Sequence, residues 1–155
     1  MLLRALLILF FTCTSTLGLT LMAKPEVGAP QSELKRTQIV IETGRGDVTL
    51  QPEVATTPLE QEIGLMGRTR AGGRSGMYFP LPRPGAVEVD TSGVGFPVDI
   101  LFVSPDGRIA KIERMARAGS GKEFKSPGSV TAYLQIEGGK AGKLGIRTGN
   151  LLKEG

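Results

Sequence analysis

Beyond residue 36 the apolar residues come in short runs, each closed within a few positions by glycine, proline or an Asp/Ser-type turn residue. Glycine (22) and proline (10) are plentiful and tryptophan is absent. Such dense punctuation favours many short strands joined by tight turns over a bundle of long helices. Residues 37–42 (TQIVIE) are rich in β-branched side chains, residues 44–47 (GRGD) form a turn, and residues 48–50 begin a return strand, which together read as a hairpin. The Arg45-Gly46-Asp47 triplet resembles a cell-adhesion tripeptide, but a tight hairpin already calls for these residues, because its turn needs positive φ. Residues 98–103 (VDILFV) suit a buried central strand, and 104–107 (SPDG) suit a type I turn. Residues 76–79, 86–90, 109–112 and 130–136 read as further strands.

Two short helices interrupt this series. Thr57 is placed as an N-cap, with Pro58 at the first helical position and Glu60 three residues after the cap, the signature of a capping box. Leu59, Ile63 and Met66 are spaced to share a face, and Gly67 is the expected stop. Residues 140–144 give a second helix, ended by Gly145. The expectation is a mainly β domain, a compact β-sandwich or barrel-like fold with two short helices, spanning residues 37–152. A chain of 155 residues accommodates one such core.

Residues 1–23 have the pattern of a secretory signal peptide: Arg4, an apolar stretch over residues 5–11, then a polar small-residue region. Cleavage after Gly18, Thr20 or Ala23 is expected; left uncleaved, the segment would be a membrane anchor, the only membrane contact anticipated. Cys13 is read as a small hydrophobe of this segment, since Phe10, Phe11 and Thr12 are not what lipoprotein processing prefers. Residues 24–36 read as a polar tether. The expected location is periplasmic or secreted.

Charge and composition narrow the function. Of 19 basic and 15 acidic side chains, one basic residue lies in the first 23 positions, so the remainder carries 18 minus 15, or +3. The loose basic stretch from Lys111 through Arg114, Arg117, Lys122 and Lys125 is broken by glycines and Glu123, and is read as a solvated loop, not a nucleic-acid surface. Histidine is absent and Cys13 is the sole cysteine. A chain processed after residue 23 therefore has no imidazole or thiol, which excludes His-based triads, Cys–His pairs and the usual zinc and copper sites. No metal or other cofactor is expected.

The order of motifs resembles the DUF192 family. It is carried by residues 60–68 (EQEIGLMGR), 76–79 (GMYF), 97–102 (PVDILF), Asp106-Gly107, 132–134 (AYL) and 138–149. The resemblance implies a compact, β-rich, commonly exported or membrane-tethered domain without an established activity. The chain departs from the family pattern at Gln61, Gln135 and Asn150, where arginine, glutamate and aspartate are usual. Residues 89–94 read VDTSGV where a Phe-Trp-Met-Lys-Asn-Thr segment is expected. Arg68, Met66, Met77 and Asp99 match.

Four residues are candidates for ligand contact. Asp99 lies inside an apolar run, where an ionised carboxylate is costly unless paired. It is expected to be either an anchor held by backbone N–H groups or the partner of Arg68 at a small cleft. Glu88 and Asp90, two apart on a strand, would point to one face and form either a solvent face or a paired-carboxylate site. Met66, Met77 and Met115 could suggest soft-metal ligation, but Met66 and Met77 sit in apolar contexts and are read as core packing. Residues 72, 73 and 76 do not make a phosphate loop, although Arg68, Arg70 and Arg74 could contact an anion. Three readings follow: a non-enzymatic binding or accessory module with a small-molecule or envelope partner, a hydrolase-like enzyme using Asp99 with Glu88 or Asp90, and a purely structural envelope module without a pocket.

Overall fold

All six residues of the run 98–103 are buried, and what buries them on both sides defines the architecture. The computed structural model describes residues 30–71, 76–120 and 122–155. Its elements in chain order are β1 (Ile39–Thr43), β2 (Gly46–Leu50), β3 (Glu53–Val54), α1 (Pro58–Ile63), β4 (Met77–Gly85), β5 (Glu88–Val89), β6 (Val98–Val103), β7 (Ile109–Ala116), β8 (Phe124–Lys125), β9 (Val130–Glu137), α2 (Lys140–Lys143) and β10 (Leu151–Glu154). A five-stranded sheet has the order β3-β4-β9-β6-β7, a three-stranded sheet the order β10-β1-β2, and β5 pairs with β8 as a separate ribbon. No sheet closes on itself, so the fold is a layered β domain and not a barrel.

The five-stranded sheet is the middle layer. Along β6 and β9, alternate side chains enter opposite cores because a strand's pleat points successive residues to opposite faces. On one face Leu101, Val103, Leu134 and Ile136 pack against Ile39, Ile41 and Leu50 of the three-stranded sheet, with Ala141 and Ile146. On the other, Ile100, Phe102, Phe79 and Tyr133 pack against Leu65, Val94, Val89 and Phe124 from α1's exit and the β5–β8 ribbon. Coverage on both faces explains why 98–103 shows no polar alternation. The first and last strands pair, Ile41 opposite Leu152. The expected hairpin forms with a tighter turn: β2 starts at Gly46 (φ +110°) opposite Thr43, two residues before the anticipated return strand.

α1 begins as anticipated, with the capping box complete: Thr57 Oγ1 accepts from Glu60 N–H, and the Glu60 carboxylate accepts from Thr57 N–H. It stops three residues earlier than expected. Gly64 takes φ +48°, which ends the helix at Ile63 and carries Leu65 into the core. The anticipated Leu59–Ile63–Met66 face therefore does not form, and Leu59 is 47% exposed. Only Glu88–Val89 of the expected strand 86–90 is a strand. Residues 30–36, expected as the end of the tether, lie against the domain. The Gln31 amide donates to the carbonyls of Glu60 and Gly64, and Leu34 N–H donates to Glu53. The signal-like segment, Cys13, Gly72, Gly73 and Arg74 lie outside the described residues.

Candidate functional site

Asp99 and Arg68 do not meet. The pleat of β6 turns Asp99 to the face shared with Leu101, and its carboxylate is 0% exposed. Oδ1 accepts from the backbone N–H groups of Met115 and Gly139, both at 2.9 Å, and Oδ2 accepts from Ala141 N–H at 2.9 Å. Met115 stands at φ +54°, a conformation unusual for a side chain other than glycine, and Asp99 holds its N–H there. One carboxylate thus ties β7 and the start of α2 to β6. This is the anchor role, and the cleft role with Arg68 is corrected.

Arg68 instead grips Glu53. Its Nη1 and Nη2 donate to Oε1 at 2.8 Å and Oε2 at 2.9 Å, a bidentate pair. Glu53 is also 0% exposed, and Arg36 approaches it at 3.5 Å. Burial alone would raise the Glu53 pKa. The hydrogen bonds from Arg68 and Leu34 and the positive charges of Arg68 and Arg36 outweigh burial and hold it below the usual glutamate value. Sequence reasoning missed Glu53. The available signal was the same one that singled out Asp99, a lone carboxylate in an apolar context (Pro52-Glu53-Val54-Ala55).

Glu88 and Asp90 come together elsewhere, at the mouth of a cleft on the opposite face of the central sheet from Asp99. The cleft has a volume of about 380 Å³, within the range of small-molecule sites. Its apolar wall is Ile63, Leu65, Met66, Phe79 and Val94, and Gln61 and Glu62 of α1 line one side. Phe79 and Tyr133 stack at 4.4 Å, nearly parallel. Two polar groups lie deep in it. Tyr133 is 9% exposed and Gln135 is 3% exposed, and neither side chain has a hydrogen-bond partner among the described residues. No fully buried side-chain nitrogen or oxygen lacks a partner there, so the free phenol and amide ends reach the cleft. Burial pushes the Tyr133 pKa far up, which keeps its hydroxyl neutral.

The rim is carboxylate-rich. Glu88 pairs with Lys125 at 3.6 Å. Asp90 accepts from the N–H and hydroxyl of Ser92, which lowers its pKa and keeps it ionised. The Gln61 amide on the lining is already engaged, donating to the carbonyls of Ala55 and Pro80. Of the methionines, Met77 is core, Met66 lines the cleft and Met115 is exposed.

Residues 39–153 match the family model of DUF192, described as an uncharacterized ACR. The chain belongs to the DUF192 family. Two solved structures resemble this DUF192 domain. One is a protein of unknown function from Novosphingobium aromaticivorans DSM 12444, 32% identical, with a TM-score of 0.74, covering 85% of this chain and 94% of that one. The other, from Sinorhizobium meliloti 1021, is provisionally described as a transcription regulator; it is 26% identical, with a TM-score of 0.73, covering 80% of this chain and 97% of that one. No curated protein matches significantly.

The departures from the family pattern fall into place on this geometry. Gln61, Gln135 and, from the segment 89–94, Asp90, Ser92 and Val94 all line the cleft. Asn150 does not; its side chain accepts from Arg147 N–H in the turn before β10. Val89, Thr91 and Gly93 of the segment 89–94 do not line the cleft either.

Proposed function

We propose that this DUF192 domain is a non-enzymatic module that binds a small molecule in the cleft beneath α1, working outside the cytoplasm in the periplasm or as a secreted protein. One observation carries the binding reading: a phenol and an amide, each at least nine-tenths buried, point unpartnered into a 380 Å³ cavity. Polar ends that open into a cavity lined mainly by apolar side chains offer hydrogen bonds that a ligand can take in place of water. The extracytoplasmic reading is supported by Arg4 followed by the apolar run 5–11.

The hydrolase reading loses its central residue, since the Asp99 carboxylate is enclosed by three backbone N–H groups. Nucleic-acid binding is not part of the proposal: in the loose basic stretch, Lys111 pairs with Glu113 and Lys125 with Glu123. A thermal-shift screen of the purified protein against small amines, acids, sugars and nucleosides tests the binding reading. Binders should raise the melting temperature of the parent and lose that effect in Gln135→Leu. A screen without binders, or binders indifferent to Gln135→Leu, overturns it.

A further inference from the structure

The cleft's polarity is graded, and the gradient specifies a ligand class; this deepens the binding reading above and rests on it. Deep in the cavity the polar groups are neutral, the Tyr133 hydroxyl and the Gln135 amide, beside the stacked Phe79 and Tyr133 rings. At the mouth the ionisable groups are all carboxylates: Glu62, Glu88 and Asp90, each exposed. Among the described residues no lysine or arginine lines this cavity. Lys125 reaches Glu88 from outside, and Arg117 and Lys122 border a neighbouring hollow that shares Glu88, Asp90 and Ser92. Glu62 has no partner among the described residues, and Asp90 is engaged only by Ser92.

We propose that the cleft takes a small organic amine, with an uncharged hydrogen-bonding end against Tyr133 and Gln135, an apolar body along Leu65, Met66 and Val94, and an ammonium at the Glu62–Glu88–Asp90 mouth. A carboxylate or phosphate ligand would meet the like charges of Glu62 and Asp90, with only Glu88 offset, by Lys125. An ammonium at the mouth finds carboxylates of opposite charge.

The test uses three compounds on one scaffold: tyramine (a cation), tyrosol (neutral) and 4-hydroxyphenylacetate (an anion). Binding to the purified protein is read by the NMR shift of the Gln135 side-chain amide and by calorimetry. Exposed carboxylates acting on one ammonium are together worth about tenfold in affinity. Tyramine should therefore bind about tenfold more tightly than tyrosol, with the carboxylate weakest. The double variant Glu62→Gln/Glu88→Gln should remove most of tyramine's advantage and leave tyrosol unchanged. Equal or tighter binding of the anion overturns the inference. So does a tyramine advantage that survives the double variant, or failure of tyramine to move the Gln135 amide. If tyrosol or the anion moves that amide while tyramine has no advantage, the cleft remains a binding site and the amine assignment alone fails.

Discussion

Replacing Asp99 by asparagine changes one oxygen to an NH2 group at a site where three backbone donors converge. If the amide oxygen takes the Oδ1 place, the bonds from Met115 and Gly139 survive without charge assistance, each weakened by about 1 kcal/mol. The new NH2 then faces Ala141 N–H, donor against donor, leaving a buried N–H unsatisfied at about 1–3 kcal/mol. The flipped amide is worse, since it sets its NH2 against two donors. The sum is about 3–5 kcal/mol, a large share of the roughly 5–15 kcal/mol that stabilises a domain of this kind. Asp99→Ala should cost at least as much, because all three donors lose their acceptor. Urea unfolding at neutral pH, with unchanged denaturant dependence, measures both. Because Arg68 and Asp99 share no partner, Asp99→Asn and Arg68→Gln should add to within about 0.5 kcal/mol in the double variant. An Asp99→Asn variant as stable as the parent, or strong non-additivity with Arg68→Gln, would refute the anchor assignment.

Arg68→Leu strands the buried Glu53 carboxylate and should cost about 3–5 kcal/mol at pH 7. The folded-state pKa of Glu53 is depressed in the parent, so its contribution is full above the unfolded value of about 4.3 and fades as pH falls through the lower folded value. In Arg68→Leu burial dominates, protonation relieves the strain, and the stability gap to the parent should narrow between pH 7 and pH 5 in urea titrations. Gln135→Leu removes an unpartnered amide from the cleft and should leave the free protein unchanged or stabilise it by about 1 kcal/mol. A loss above 1 kcal/mol would mean that the amide is structural. Intact-mass measurement of extracytoplasmic protein should show removal of the chain up to about Gly18 or Ala23. Full-length protein confined to the cytosol would end the export proposal.

The features legible in the sequence were those written within a few residues. The Thr57–Glu60 capping box, the hairpin turn at Gly46 and the 104–107 turn, closed by Gly107 N–H donating to the Ser104 carbonyl at 2.9 Å, depend on groups three or four positions apart. Composition and spacing carry that information directly. The continuous apolar run 98–103 likewise announced a strand covered on both faces. Helix α1 was misjudged only at its exit, where two glycines stood three residues apart and Gly64, the nearer, took the stop.

Partnership at long range was beyond such signals. Asp99 was identifiable as a carboxylate in need of partners, but they lie 16, 40 and 42 residues away and are backbone groups, which carry no residue-type signature. Arg68 was matched to Asp99, but the parallel pairing of β3 with β4 delivers Glu53 to it. The cleft is likewise a product of topology. Gln61, Asp90, Tyr133 and Gln135 become neighbours only because β9 sits beside β4 at the centre of the sheet while α1 and the segment after β5 cover that face. Periodicity in a sequence states which side of an element a residue occupies; which other element meets that side is decided when the layers pack.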